Sequence, residues 1–136
     1  MEKLVLTIEQ CNHLKELGYD LSKSILQWYK WTKDEYGKPV NKTWKISKND
    51  AFIVCNFETY EAIPTWTLNE IITFLPENIW VNDELYQLVI TKNNIRYIYS
   101  QFNCYMDLFY NTEDENLLNS AYKVLCKLAE GNYLKK

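Results

Sequence analysis

The sequence predicts a single α+β domain over residues 1–136. Its sheet is mostly antiparallel and made of two hairpin-containing halves, with three helices packed on one face in the order α-β-β-β-α-β-β-β-α. Three observations predict this. Helix-period segments open on threonines with Gln or Glu three residues on, at Thr7, Thr67 and Thr112. Strand-forming runs come in pairs joined by short polar turns, which segregates helices to one side of a sheet. A chain of 136 residues, 47% hydrophobic, is long enough for one substantial core and too short for two.

The first helix starts at Thr7 with Gln10 as its capping-box partner, presents Ile8, Cys11, Leu14 and Leu17 on one face, and stops at Gly18. His13, the only histidine, falls at the margin of that face, where a surface role is expected. Ser24–Lys33 and Lys42–Ser47 read as two strands of a long hairpin whose turn is Asp34-Glu35-Tyr36-Gly37-Lys38-Pro39. Phe52–Asn56 suits an interior strand, and Glu58–Glu61 reads as a loop.

The second helix is the most legible stretch of the chain. Thr67 and Glu70 form a capping box, Trp66 and Ile71 a hydrophobic staple, and Pro76 ends the helix after a stripe of Leu68, Ile71, Ile72 and Leu75. Glu77–Glu84 reads as irregular. Leu85–Thr91 and Ile95–Ser100 form a second hairpin about Lys92-Asn93-Asn94, a turn in which an Asn can adopt positive φ. Cys104–Tyr110 adds one strand. The last helix opens on a Thr112–Glu115 capping box, with Glu113 and Asp114 at the positive end of its dipole. It buries Leu117, Leu118, Ala121, Val124, Leu125 and Leu128, and ends at Gly131. Thr7-Ile8-Glu9-Gln10 and Thr67-Leu68-Asn69-Glu70 recur 60 residues apart, which either marks a duplication or reuses the same cap chemistry.

Several function classes find little support. The four cysteines, Cys11, Cys55, Cys104 and Cys126, never pair as CxxC, so a metal site is not expected and buried reduced thiols are. One histidine, no Gly-x-Ser-x-Gly elbow and no glycine-rich phosphate loop leave no catalytic constellation and no cofactor cradle. The carboxylates of Glu113-Asp114-Glu115 are accounted for by helix capping, and Asp83-Glu84 sits in an expected loop. Glu9 interrupts the only early apolar run, so no signal peptide is expected. Nothing approaches the ~20 apolar residues of a membrane span. A non-enzymatic, cytoplasmic protein without a membrane role is the expectation.

Charge is segregated. Seven lysines against two acidic residues give residues 23–48 a net charge of +5, which leaves −8 for the rest of a chain totalling −3. The same hairpin holds Trp28, Tyr29, Trp31 and Trp44. Aromatic rings that stack bases, together with lysines that follow phosphates, are how single-stranded nucleic acid is held. The candidate binding residues are therefore Tyr29, Lys30, Trp31, Lys33, Lys42 and Lys45. Alternation puts Leu26 and Trp28 on one strand face and Tyr29 and Trp31 on the other. The competing structural reading places Trp28, Trp44 and Ile46 in the core and has the lysines guard a sheet edge. Acidity outside the hairpin argues against a dedicated nucleic-acid binder. Eleven tyrosines favour a protein partner, or a second copy of the chain burying the same aromatic face.

Three patches carry a resemblance. Leu6-Thr7-Ile8-Glu9-Gln10 running into Leu14-Lys15-Glu16-Leu17-Gly18-Tyr19-Asp20, then Ile63–Leu68, then Ala121–Cys126 with Gly131-Asn132-Tyr133-Leu134, together resemble a family of small uncharacterised proteins carried by phages and mobile elements of gut bacteria. The resemblance spans the whole length and rests mostly on caps and core positions. The family has no assigned activity, so it lends no functional residues. It implies an accessory protein working in a bacterial cytoplasm. The Trp- and Lys-rich hairpin of residues 23–48 is where this chain departs from the pattern.

Overall fold

A computed structural model describes residues 4–34, 36–49, 59–101, 104–109, 112, 114 and 116–133. The chain is α+β, with three helices and two antiparallel sheets, and it divides into two compact units, residues 1–67 and 68–136. The two hairpin-containing halves are thus two separate sheets and not one continuous sheet.

In the first unit, helix α1 (Ile8–Glu16) forms as its cap dictates. The Thr7 hydroxyl accepts from the Gln10 N–H at 3.2 Å, and the Gln10 side chain accepts from the Thr7 N–H at 2.9 Å. Gly18, at φ +100°, takes the left-handed position after the helix. Strand β1 (Leu26–Lys33) is central, flanked by β2 (Lys45–Lys48) and β3 (Thr59–Thr65). The expected hairpin pairs Leu26 with Lys48 and Tyr29 with Lys45. Its turn is tied by Asp34, whose carboxylate accepts from the Tyr36 and Lys38 N–H groups at 2.9 Å each.

β3 corrects the expected loop over residues 59–61. Thr59, Tyr60, Ile63 and Thr65 are good strand formers, and Pro64 is tolerated because β3 lies at a sheet edge. The strand expected at Phe52–Asn56 lies outside the described residues. Trp28 is buried, and its indole N–H donates to the Leu6 carbonyl at 2.8 Å. The fully buried Thr65 hydroxyl donates to the same oxygen at 3.0 Å. The N-terminal segment is thereby pinned to the sheet before α1 begins.

The second unit opens on α2 (Leu68–Phe74) and continues as a meander: β4 (Asn78–Val81), β5 (Glu84–Ile90), β6 (Ile95–Gln101) and β7 (Cys104–Asp107), followed by α3 (Leu117–Glu130). β4 corrects the expected irregular stretch. Asn82 and Asp83 both take positive φ, +51° and +67°, and make the two-residue turn that pairs Val81 with Glu84. The Lys92-Asn93-Asn94 turn, in contrast, has no residue at positive φ; the Thr91 N–H closes it on the Asn94 carbonyl at 2.8 Å. β7 ends at Asp107, earlier than expected, and Tyr110 lies outside the described residues.

α3 buries Leu118, Ala121, Val124, Leu125 and Leu128, as its periodicity predicts, and packs against α2 and β6. Its cap is Asn116 and not Thr112: the Asn116 side chain accepts from the Leu118 N–H at 2.8 Å. Thr112 is otherwise engaged, its buried hydroxyl donating to the Asn94 side-chain oxygen at 2.9 Å. Glu115 lies outside the described residues. Gly131 closes α3 at φ −86°, and Asn132 takes the left-handed position at φ +57°. A side chain at Gly131 would meet the Tyr133 ring, which packs on Phe109 with centroids 5.5 Å apart.

The strands after α1 place the first one centrally, whereas those after α2 run as a meander. The recurrence 60 residues apart therefore opens two sheets of different strand order.

Two predictions arise from this unit. The fully buried Ser120 hydroxyl donates to the Thr112 carbonyl and accepts from the Ile95 N–H at 3.1 Å. Ser120→Ala strands two backbone groups, and a loss of roughly 1–3 kcal/mol in urea-denaturation stability is expected. An unchanged midpoint would contradict it. The Asp114 carboxylate accepts from the Asn116 N–H at 3.0 Å and lies 3.2 Å from the Lys123 ammonium. These partners, the backbone bond first, hold its carboxyl below the ordinary value of 3.8. A depressed folded-state value stabilises the fold above the unfolded value and ceases to do so as pH falls through the folded one. Asp114→Asn should therefore remove part of the decline in thermal midpoint that the parent shows on acidification below 3.8. Parallel pH profiles would refute this.

Candidate functional site

The first sheet sorts the candidate residues by strand alternation. On β1, Gln27, Tyr29 and Trp31 share one face, and Leu26, Trp28 and Lys30 share the other. Directly paired residues lie on the same face, so Lys45 and Ala62 flank Tyr29, and Tyr60 stands beside Trp31. The rings interlock. Tyr29 and Trp31 meet edge to face with centroids 6.4 Å apart, and Trp31 and Tyr60 do so at 5.7 Å. Tyr29 and Trp31 are half-buried, while Tyr60 retains 39% exposure and Lys45 and Ala62 are exposed. The result is an aromatic patch, continuous along its rings and open to solvent at its margin.

The opposite face of β1 behaves differently. Trp28 is core. Lys30 stands across from Glu61, and its ammonium lies 4.9 Å from the centroid of the half-buried Trp44 ring, a cation–π contact. Of the six candidates, the structure therefore brings together Tyr29, Trp31 and Lys45, and puts Lys30 on the other side with Trp44. Lys33 is exposed beyond a register shift that breaks the alternation after Trp31, and Lys42 is exposed in the connection before β2.

Tyr60 is the residue that sequence reasoning missed. It falls in the stretch read as a loop, yet Thr59-Tyr60-Glu61-Ala62-Ile63 carries the strand formers that would have signalled it.

Among the described thiols, Cys11 is buried and Cys126 half-buried. Burial pushes both Cys11 and the half-buried Cys126 above the ordinary thiol value, which disfavours the reactive thiolate. Among the described residues, no group of three His, Cys, Asp or Glu side chains converges to hold a metal ion, and no helix is long and apolar enough to cross a membrane. Comparison with protein-family models, curated proteins and solved structures finds no match to the chain.

Proposed function

We propose that this chain is a non-enzymatic binding protein that receives a protein partner on the Tyr29–Trp31–Tyr60 face of its first sheet. The observation that carries this reading is the interlocked triad of rings, partly accessible and flanked by the exposed Lys45. Aromatic anchors of this kind supply most of the energy in protein interfaces, because large rigid surface is buried at small entropic cost. The lysines of residues 23–48 steer an acidic partner and set its orientation. With the phage and mobile-element resemblance, the setting is a bacterial cytoplasm and the role that of an accessory protein.

Single-stranded nucleic acid fits less well. One candidate lysine, Lys30, is committed to Trp44 on the side away from Tyr29 and Trp31. Lys45 is the one candidate lysine paired beside the rings, so the stacking surface carries little phosphate-tracking charge along it.

The test is an affinity pull-down from bacterial lysate, with and without nuclease, at low and high salt, using the parent and Trp31→Ala. A nuclease-resistant, salt-tolerant protein retained by the parent and lost by the variant is the expected result. Recovery of nucleic acid alone, lost with salt and on Lys45→Ala, would overturn the proposal. So would a stable homodimer that buries the same rings and captures nothing.

A further inference from the structure

We propose that the outer edge of β3 and the cleft beside it take up an extended, apolar-anchored peptide segment as a fourth strand of the first sheet. This goes beyond the aromatic face, because it stands on the backbone of β3. Among the described residues, β3 is an edge strand, paired with β1 alone. Along such a strand, successive residues turn their N–H and C=O groups to alternate sides.

Two observations set the phase. Pro64 has no N–H to give a ladder, so its position suits the outward-facing set. Trp66, two residues on, offers its carbonyl to the Leu6 N–H at 3.1 Å, away from β1. Tyr60, Ala62 and Pro64 therefore direct their backbone groups outward. Tyr60 and Ala62 are exposed, and among the described residues no strand pairs with them on that side.

The chain itself already uses the end of this edge in the same manner. Val5 makes an antiparallel bridge to Thr67, and Thr7 then turns the backbone into α1 before it runs alongside positions 60–64. The other edge is defended: β2 has four residues and carries the exposed Lys45 and Lys48, whereas the seven residues of β3 include only one charge, Glu61.

A cleft of about 260 Å³ runs beside β3. Its walls are apolar at Cys11, Tyr19, Leu21 and Ile63, and Lys15 and Asp20 stand at its rim. A cavity of about 150 Å³ holds a benzene ring, so this one accepts a large apolar side chain. A helix lying beside an open strand edge is the geometry in which an added strand gains affinity from main-chain bonds and selectivity from one pocketed side chain. Ala62 N–H and C=O and the Tyr60 and Pro64 carbonyls supply the first, and the cleft supplies the second.

The test pans a random dodecapeptide display library on the full chain and titrates the enriched peptide by fluorescence anisotropy. Two series follow: the peptide N-methylated at successive single positions, and the parent protein against Ala62→Pro. Proline at 62 removes an outward N–H and leaves the β1 ladder in place. Expected are an enriched peptide with a large apolar residue, loss of about tenfold or more from N-methylation at alternate positions only, and a similar loss with Ala62→Pro. Failure to enrich such a peptide, tolerance of methylation throughout, or full binding by folded Ala62→Pro would overturn the proposal. Should Ala62→Pro not fold, the methylation series, which leaves the protein unchanged, decides.

Discussion

Tyr97→Ala lowers the stability of the protein by roughly 3–5 kcal/mol in urea denaturation, the range for emptying a buried aromatic site. Tyr97 is fully buried on β6. Its ring meets Phe109 edge to face at 6.1 Å, and its hydroxyl donates to the Pro76 carbonyl at 2.6 Å. That bond ties Pro76, two residues beyond α2, to the sheet, so the variant loses packing and strands a carbonyl together. Tyr97→Phe separates the contributions: it keeps the ring and should cost about 1 kcal/mol for the lost hydrogen bond. Near-parental stability of Tyr97→Ala would show that this ring does not organise the second unit.

The second large effect is on binding. Trp31→Ala should weaken the partner by about thirtyfold or more, since a central aromatic anchor contributes ~2 kcal/mol or above. Trp31 touches both other rings of the patch, Tyr29 and Tyr60, so its removal disconnects the patch. Because Trp31 is only half-buried, thermal stability should change far less than for Tyr97→Ala. Titration of the purified partner by calorimetry checks the affinity, with a thermal melt of the variant beside it. Unchanged affinity would remove the aromatic patch from the interface.

How much was legible in the sequence depended on whether local chemistry acted alone. The Thr7–Gln10 box formed as read, because each side chain reaches a backbone N–H within the same first turn. The equivalent reading at Thr112 failed because its hydroxyl serves Asn94, in a contact 18 residues distant in sequence, and Asn116 is an equally competent cap. The apolar arc of α3 was largely legible, except that Leu117 is half-buried and Ser120 is also buried, held by Thr112 and Ile95. β4 was hidden by its turn: Asn-Asp accepts two positive φ values without the glycine that usually announces such a turn.

The candidate site was half legible, for a related reason. Period-two alternation separated Trp28 from Tyr29 and Trp31 without any tertiary information. Pairing partners are set by register, which sequence alone leaves open. Tyr60 therefore went unrecognised, and Lys30 was grouped with rings that it turns away from. The division into two sheets was likewise invisible, since hairpin signals are the same whether hairpins join one sheet or two.

Hydroxyl-radical footprinting of the chain, with and without its purified partner, tests the central claim most directly. Trp80, 69% exposed on β4, is the internal reference, since it belongs to the other sheet and to no part of the proposed interface. The account predicts that oxidation of Tyr29, Trp31 and Tyr60 slows on binding while that of Trp80 does not. Protection of Trp80 with the three rings unchanged would contradict it.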